Sequence, residues 1–467
     1  MNERPYAQMG EQIKQLINAL VLAKRWDKKR AVQELATRTR YADSTVYRWR
    51  QGRLRPSDET LETLAQIGHD EAQLDRSWGQ SLLRSARYPE TDQFVNQVWG
   101  AREIRHILNN LPRPEHTAFI GRQAELARLL QLLLPEHAAH LISVDGIGGV
   151  GKTTLVIEAA YRCLRASSGE LPAPHIPTFD AIIFTSAKQQ YLTPHGILDR
   201  RQAQRTLQDI FREIAVTLDR SDITRTTADE QPDRVRRALS RQQTLLIVDN
   251  LETIDDRQNV IAFLYDLPPS VKVVITTREQ ALFAPIRLEQ LPETEGLKLI
   301  QHEAQDKAIT LNEEQALALY RCTGGVPAAI VYAVGQIASG YLIEGVLARL
   351  TRHEGNVARF CFEGSVAPLR GQPAHHLLMA MAMFPKRPLR EAVIRTAGLS
   401  ADPIAADEGL ARLQQLSLTT GQEGRYQMLP LTREYGLAEL AANPDFEEEA
   451  RERWIHWYLE FAEKFGG

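Results

Sequence analysis

The run Gly146-Ile-Gly-Gly-Val-Gly151-Lys152-Thr153-Thr154 is the part of the sequence best suited to chemistry. It satisfies the P-loop pattern and adds two further glycines. A loop that wraps phosphates with its backbone N–H groups must take unusual dihedrals and keep side chains out of the way, which is what glycine allows. Gly146, Gly148, Gly149, Val150 and Gly151 are therefore the expected phosphate cradle, closed by Thr154. Lys152 is expected to reach the β- and γ-phosphates, and the Thr153 hydroxyl to hold magnesium. Such a metal needs an acid at the end of a buried strand downstream, and Thr244-Leu-Leu-Ile-Val-Asp249 supplies one. Asp249 is expected to act on Mg2+ through water. Asn250 follows it; an amide orients water but cannot accept its proton. Glu252 stands two residues beyond. The expected ligands are thus ATP or ADP with Mg2+, and the expected hydrolysis is slow.

A P-loop works only between a strand and a helix whose N-terminus faces the anion. Leu141 to Val144 precedes the loop as a strand, and Leu155, Ala159 and Ala160 mark one face of a helix after it. The same alternation fills residues 114–289. His140–Val144, Ala181–Phe184, Thr244–Val248 and Val271–Ile275 are apolar runs rich in Val and Ile, separated by helical stretches such as Thr154–Leu164 and Arg201–Leu218. That pattern predicts an α/β domain whose parallel sheet is covered by helices on both faces. Residues 7–85 carry only short-helix spacing, for example Ile13, Leu16, Ile17 and Leu20, which predicts an all-α N-terminal module. A further helix over Gln93–Leu108 leads to Leu111-Pro-Arg-Pro, whose prolines place a boundary near residue 113. Beyond residue 290 helices return, with a small hairpin over Leu416–Thr420 and Tyr426–Met428.

At 467 residues the chain is long enough for about three domains of roughly 150 residues each. An apolar fraction of 43% and a charged fraction of 25% belong to an ordinary soluble protein, with no apolar run long enough to span a bilayer. Nothing in Met1–Lys14 reads as a secretion signal, so the cytoplasm is the expected location and no membrane is an expected partner. Cys163, Cys322 and Cys361 lie too far apart for a disulfide framework or zinc cluster and read as core thiols. The net charge of −3 hides an asymmetry: residues 21–60 hold eleven basic side chains against five acidic ones, a local balance of +6. One module is therefore suited to a polyanion.

From about residue 117 to 438 the chain resembles the NB-ARC family of STAND ATPases, a switch module of plant resistance proteins and many bacterial regulators. The motifs come in family order: Phe119-Ile-Gly-Arg-Gln-Ala-Glu125, the P-loop, Leu245–Asp249, Val273-Val-Ile-Thr-Thr-Arg278, and Gly324-Gly-Val-Pro327-Ala-Ala. The resemblance implies that Ile120, Gly121 and Arg122 line the nucleotide site, that Arg278 touches the terminal phosphate, and that Pro327 packs on adenine. It implies a nucleotide-binding domain at 114–289, a helical lid at 290–364 and a winged-helix subdomain at 365–438. It also implies a protein closed with ADP and self-associating with ATP. Two positions depart from the family. Asn250 stands where a second acid is frequent, and Leu429 stands where a histidine often senses the diphosphate.

Residues 28–68, within a module expected to span 1–86, resemble the Cro and lambda-repressor type of helix-turn-helix. Val32–Thr37 would be its first helix and Asp43–Arg50 its recognition helix. Val46 and Trp49 should face the core, leaving Ser44, Thr45, Tyr47 and Arg48 outward toward a major groove of duplex DNA. Arg53 and Arg55 would contact phosphate. The turn carries Arg40 and Tyr41 where glycine is usual. A basic helical bundle that acts as a protein adaptor is the other reading, and a motor-like ATPase with steady turnover a third. Residues 87–113 are expected as a helical linker. Residues 439–467 are expected as the start of a C-terminal helical, sensor-like region, with Trp454, Trp457, Tyr458 and Phe461 on one stripe.

Overall fold

Four apolar runs form the centre of a six-stranded sheet because their side chains are buried on both faces. The computed structural model describes residues 4–99, 105–114, 117–170, 175–199, 206–280, 283–350 and 356–465. The chain divides into two units, one running to Arg105 and the other holding nearly all of the chain from His106.

The first unit is all helical: α1 (Ala7–Lys24), α2 (Lys28–Thr39), α3 (Asp43–Arg50), α4 (Asp58–Asp70), α5 (Arg76–Ser85) and α6 (Thr91–Trp99). Asp27 and Ser57 cap α2 and α4 by accepting from backbone N–H groups three residues on. Ile13, Leu16 and Leu20 of α1 share one core with Leu35, Val46, Trp49, Leu61, Leu64 and Leu82. At the corner between α2 and α3, Arg40 adopts φ 58° and ψ 34°, the left-handed conformation that a glycine would take more cheaply. Tyr41 then packs edge-on against the buried Trp49, ring centroids 5.2 Å apart. The sequence predicts helix over Gln93–Leu108. Instead α6 ends at Trp99, residues 100–104 lie outside the described residues, and Leu108 belongs to a strand.

That strand, β1 (Leu108–Asn109), opens the second unit. It is followed by α7 (Gln123–Leu133), β2 (Leu141–Asp145), α8 (Lys152–Ser167) and β3 (Ala181–Ser186). A hairpin of β4 (Gln190–Thr193) and β5 (Gly196–Asp199) comes next, then α9 (Leu207–Thr217), α10 (Ser221–Thr224) and α11 (Gln231–Leu239). The start of the expected Arg201–Leu218 helix falls partly outside the described residues. The core closes with β6 (Thr244–Asp249), a 3-10 turn at Leu251–Thr253, α12 (Arg257–Tyr265), β7 (Val271–Thr277) and β8 (Ala284–Arg287). The sheet order is β1-β3-β6-β7-β2-β8, every pairing parallel. All residues of β2, β3, β6 and β7 are buried, as strands sandwiched between helices must be.

Two edge strands and the hairpin escape the periodicity rule. β1 is only two residues long, and its pairing is continued by a side chain: the Asn110 amide donates to Phe184 O (2.9 Å) and accepts from Phe184 N (2.7 Å). β8 contains Pro285, tolerable only where no further strand needs its N–H. β4 and β5 are partly exposed and lack a continuous apolar face.

Helices α13 (Glu293–Asp306), α14 (Glu313–Thr323), α15 (Pro327–Ala338), α16 (Ile343–Leu350) and α17 (Asn356–Val366) follow. Then come α18 (Pro373–Ala382), α19 (Arg390–Thr396), α20 (Pro403–Gln415), a hairpin of β9 (Thr420–Gln422) and β10 (Arg425–Gln427), α21 (Pro430–Ala441) and α22 (Pro444–Phe465). The hairpin pairs Tyr426 with Gly421, so its first strand lies a few residues later than the sequence predicts.

Candidate functional site

Parallel strands present their C-terminal ends along one edge of the sheet, and the chemically interesting residues collect there. β2 ends at Asp145 and passes into the glycine loop. Gly146, Gly149 and Gly151 take φ of 150°, 76° and 101°, a region that side chains rarely adopt, so the loop can turn its amides inward and start α8. Lys152, the first residue of α8, is buried. Its ammonium donates to the carbonyls of Gly146 (2.7 Å) and Ile147 (2.8 Å), both in its own loop. Burial pushes this ammonium down to about 8, against the pull of the Glu252 charge.

β6 delivers Asp249, fully buried, beside Thr153. The Thr153 hydroxyl donates to Asp249 Oδ1 (2.6 Å), as does that of Thr276 (2.7 Å), while Ser186 donates to Oδ2 (2.8 Å). A hydroxyl next to an ionisable carboxylate is a hard oxygen pair of the kind magnesium takes when phosphates supply the remaining ligands. The residues therefore fit Mg2+. Ser186 and Thr276 are partners that spacing arguments overlooked; the available signal was a hydroxyl residue near the C-terminal end of each neighbouring apolar strand.

Arg278 follows β7 and is part-buried. Its Nε lies 3.2 Å from Glu252 Oε1, and its Nη1 donates to the carbonyl of Cys361 in α17 (2.9 Å). Asn250, at φ 62°, turns the chain just after Asp249. The helices beyond residue 290 reach the same loop. Pro327 is the first residue of α15, and the next residue, Ala328, donates its N–H to Gly149 O (3.0 Å). Cys361 packs on the loop so closely that a Cβ on Gly148 would lie 2.3 Å from its carbonyl oxygen. Burial pushes the Cys361 thiol up to about 12, keeping it a neutral core thiol.

Arg122 is nearly buried and braces the loop from outside: its Nη2 donates to Val150 O (3.3 Å) and to Glu289 O, and its Nη1 pairs with Glu125 (3.0 Å). Gly121, at φ 74°, lies beside Glu295, which accepts from the Arg122 N–H; half-buried Ile120 precedes it. Leu429 caps α21, packed against apolar core, and neighbouring Pro430 lies beside Gly324. In the first unit, Ser44, Tyr47, Arg48 and Arg53 are exposed and Thr45 is half-buried. Arg55 is engaged inside its own unit, donating to Ala86 O (2.6 Å) and Pro56 O (3.1 Å) and pairing with Asp58.

Sheet order, glycine loop, lysine and strand-end acid define the nucleotide-binding core as that of a P-loop NTPase. Comparison with known proteins agrees: a model of the AAA ATPase domain matches residues 118–276. The transcription activator GutR of Bacillus subtilis is 27% identical over 404 residues, covering 79% of this chain and 46% of its own length. A nucleotide-binding leucine-rich repeat (NLR)-like protein of Hyaloscypha variabilis is 24% identical over 298 residues, covering 57% of this chain and 27% of its own. The chain thus spans less than half the length of these two curated relatives. The solved Walker-type ATPase paby2304 of Pyrococcus abyssi aligns with a TM-score of 0.48 at 13% identity, over 70% of this chain and 98% of that one. Among the described residues no helix is long and apolar enough to cross a membrane.

Proposed function

We propose that this chain is an ATP/ADP-dependent switch of the NB-ARC/STAND type, closed with ADP, self-associating with ATP, and acting in the cytoplasm as a DNA-binding regulator. The observation that carries the reading is the convergence of three later helices on the P-loop and on the segment that leaves β7. The P-loop carbonyl of Gly149 accepts from the start of α15, Arg278 donates to α17, and Glu279 pairs with Arg412 of α20 (2.8 Å). A ligand seated between such segments biases whether they stay together, which is the physical requirement of a switch.

On this reading residues 114–289 bind the nucleotide, 290–364 form the lid and 365–438 a winged-helix subdomain. Residues 1–86 form the helix-turn-helix module, joined by 87–113, and 439–467 begin a sensor region. Thr153 and Asp249 would hold Mg2+, which when bound neutralises charge on the β- and γ-phosphates. Lys152 gives up its loop carbonyls for phosphate oxygens, the loop amides orient the chain of phosphates, Pro327 faces adenine, and Arg278 reads the terminal phosphate. The relatives named as a transcription activator and as an NLR-like protein support a regulator over a motor.

The test uses purified full chain freed of nucleotide. ATP and ADP, each at about a hundred times the dissociation constant, should add roughly 2.7 kcal/mol to stability. Lys152→Ala should lose most of that gain, and a larger assembly should form with ATP but not ADP. No thermal shift with either nucleotide would sink the reading; a shift without assembly would remove the self-association part of it.

A further inference from the structure

The acid that hydrolysis needs is missing from the position after Asp249, and the backbone explains how another can stand in for it. Asp249 is engaged at the metal end of the site, where three hydroxyls converge on its two oxygens. Asn250 is a corner. Its φ of 62° and ψ of 51° are left-handed, a conformation that Asn adopts more readily than most residues. Its N–H donates to Thr276 Oγ1 (2.9 Å), and its carbonyl accepts from both the N–H (3.0 Å) and the hydroxyl (2.9 Å) of Thr253. The same Thr253 hydroxyl contacts Ala187 O (2.9 Å), and Leu251 is buried, so the 3-10 turn after the corner is fixed at both ends.

That turn brings Glu252 back toward the P-loop. Its side chain is only 9% exposed, and its charge acts on Lys152 more strongly than that of Asp249 does. Glu252 Oε2 accepts from the Arg278 backbone N–H at 3.3 Å. Oε1 is buried and faces Arg278 Nε at 3.2 Å without an aligned hydrogen bond. A buried carboxylate whose charge acts on Lys152, with Oε1 paired to Arg278 but lacking an aligned hydrogen bond, is placed to take a hydrogen once that arginine moves.

We propose that Glu252 is the general base of ATP hydrolysis, placed by the left-handed corner at Asn250 and held by Arg278 until the terminal phosphate draws that arginine away. The inference rests on the reading of this site as an ATP site. In the step, Glu252 takes a proton from a water whose oxygen bonds to the γ-phosphorus. The bond from that phosphorus to the β–γ bridging oxygen breaks, its electron pair leaving with ADP. Inorganic phosphate departs, and Glu252 returns its proton to solvent.

The experiment follows single-turnover hydrolysis of radiolabelled ATP by excess full chain, with ATP binding measured in parallel by thermal shift. Glu252→Gln should slow hydrolysis at least about a hundredfold, the usual range for loss of a positioned base, while ATP affinity changes only several-fold. Glu252→Asp, one methylene short, should fall between the two. Asn250→Asp should bring no gain in rate, because a carboxylate at the corner does not replace the one at Glu252. Wild-type hydrolysis by Glu252→Gln with ATP bound, or a tenfold gain in Asn250→Asp, overturns the proposal. So does a wild type that binds ATP yet hydrolyses it no faster than Lys152→Ala. If Glu252→Gln does not fold, Glu252→Asp carries the test: a rate unchanged with ATP bound overturns it. Failure of wild type to bind ATP would instead remove the reading beneath it.

Discussion

At Gly148 the closure of the site depends on the absence of one methyl group. A Cβ there would lie 2.3 Å from the Cys361 carbonyl oxygen, which cannot move without shifting α17 and the hydrogen bond it accepts from Arg278. Gly148→Ala should therefore unseat α17, costing about 1–3 kcal/mol as overpacking of a fixed contact does. Hydrogen exchange reads this out: α17 amides should exchange at least tenfold faster in nucleotide-free protein, while those of β6 keep their protection. Unchanged exchange in α17 would mean that the loop yields instead. Gly148, Lys152 and Thr153 were legible from spacing, because a P-loop is one continuous stretch of chain. Ser186, Thr276 and Cys361 were not: each arrives on an element remote in sequence, and nothing local in Ser186 says that it ends beside Asp249. Arg55 was legible as a cation but not as a structural one, since its partner Ala86 O is thirty-one residues away.

Elements repeat the lesson at larger spacing. Fully buried strands could be read because, Lys272 and the strand-end acids aside, their residues are apolar or small hydroxyl ones, whereas β1 could not, because its pairing is completed by the Asn110 amide rather than by a hydrophobic run. The segment leaving β7 has a further role that no motif announces. Arg278, Glu279 and Gln280 are consecutive, and between them they grip two later helices, α17 and α20. Arg278 holds the Cys361 carbonyl, Glu279 pairs with Arg412 of α20, and Gln280 donates its N–H to Gln415 O (2.9 Å) and its amide to Gln414 O (2.8 Å). Burial pushes the Glu279 carboxyl up, but hydrogen bonds from Arg412 and Arg257 outweigh it and hold the group below the usual carboxylate range. This clamp ties α20 to the nucleotide core. A double-mutant cycle of Glu279→Ala and Arg412→Ala should give a coupling of about 0.5–3 kcal/mol, as contacting partners in one network do. Arg412→Glu should speed release of a fluorescent ADP analogue severalfold in stopped flow. Additive single mutants with unchanged release would show that α20 is held elsewhere.

For the whole molecule, the charge of −3 is less informative than its distribution, and the fate of each cation decides what the basic module can meet. Arg38 and Lys24 pair with Glu71, and Arg55 is engaged with Ala86, Pro56 and Asp58. Arg50 lies over the Tyr47 ring, 5.0 Å from its centroid. Arg48 and Arg53 remain exposed near α3, and among the described residues neither has an ion pair. On the proposed reading they carry the polyanion contacts, each neutralised phosphate contributing about −0.9 to the slope of log affinity against log salt. On the same reading one module alone would hold DNA weakly, so ATP-driven assembly that sets several on one duplex should raise affinity through effective concentration. The expected outcomes separate by residue. Arg53→Ala should weaken binding to every sequence and flatten the salt slope by roughly one phosphate, and Arg48→Ala should mainly relax preference among sequences. Arg55→Ala should instead destabilise the first unit by about 1–3 kcal/mol, since it strips a partly buried carbonyl of its partner, and leave the slope unchanged in whatever remains folded. A mobility-shift titration of the ATP-loaded protein at low and rising salt reads all three. Absence of salt-sensitive binding to duplex DNA in the assembled state would leave the exposed face of α3 as a surface for a protein partner.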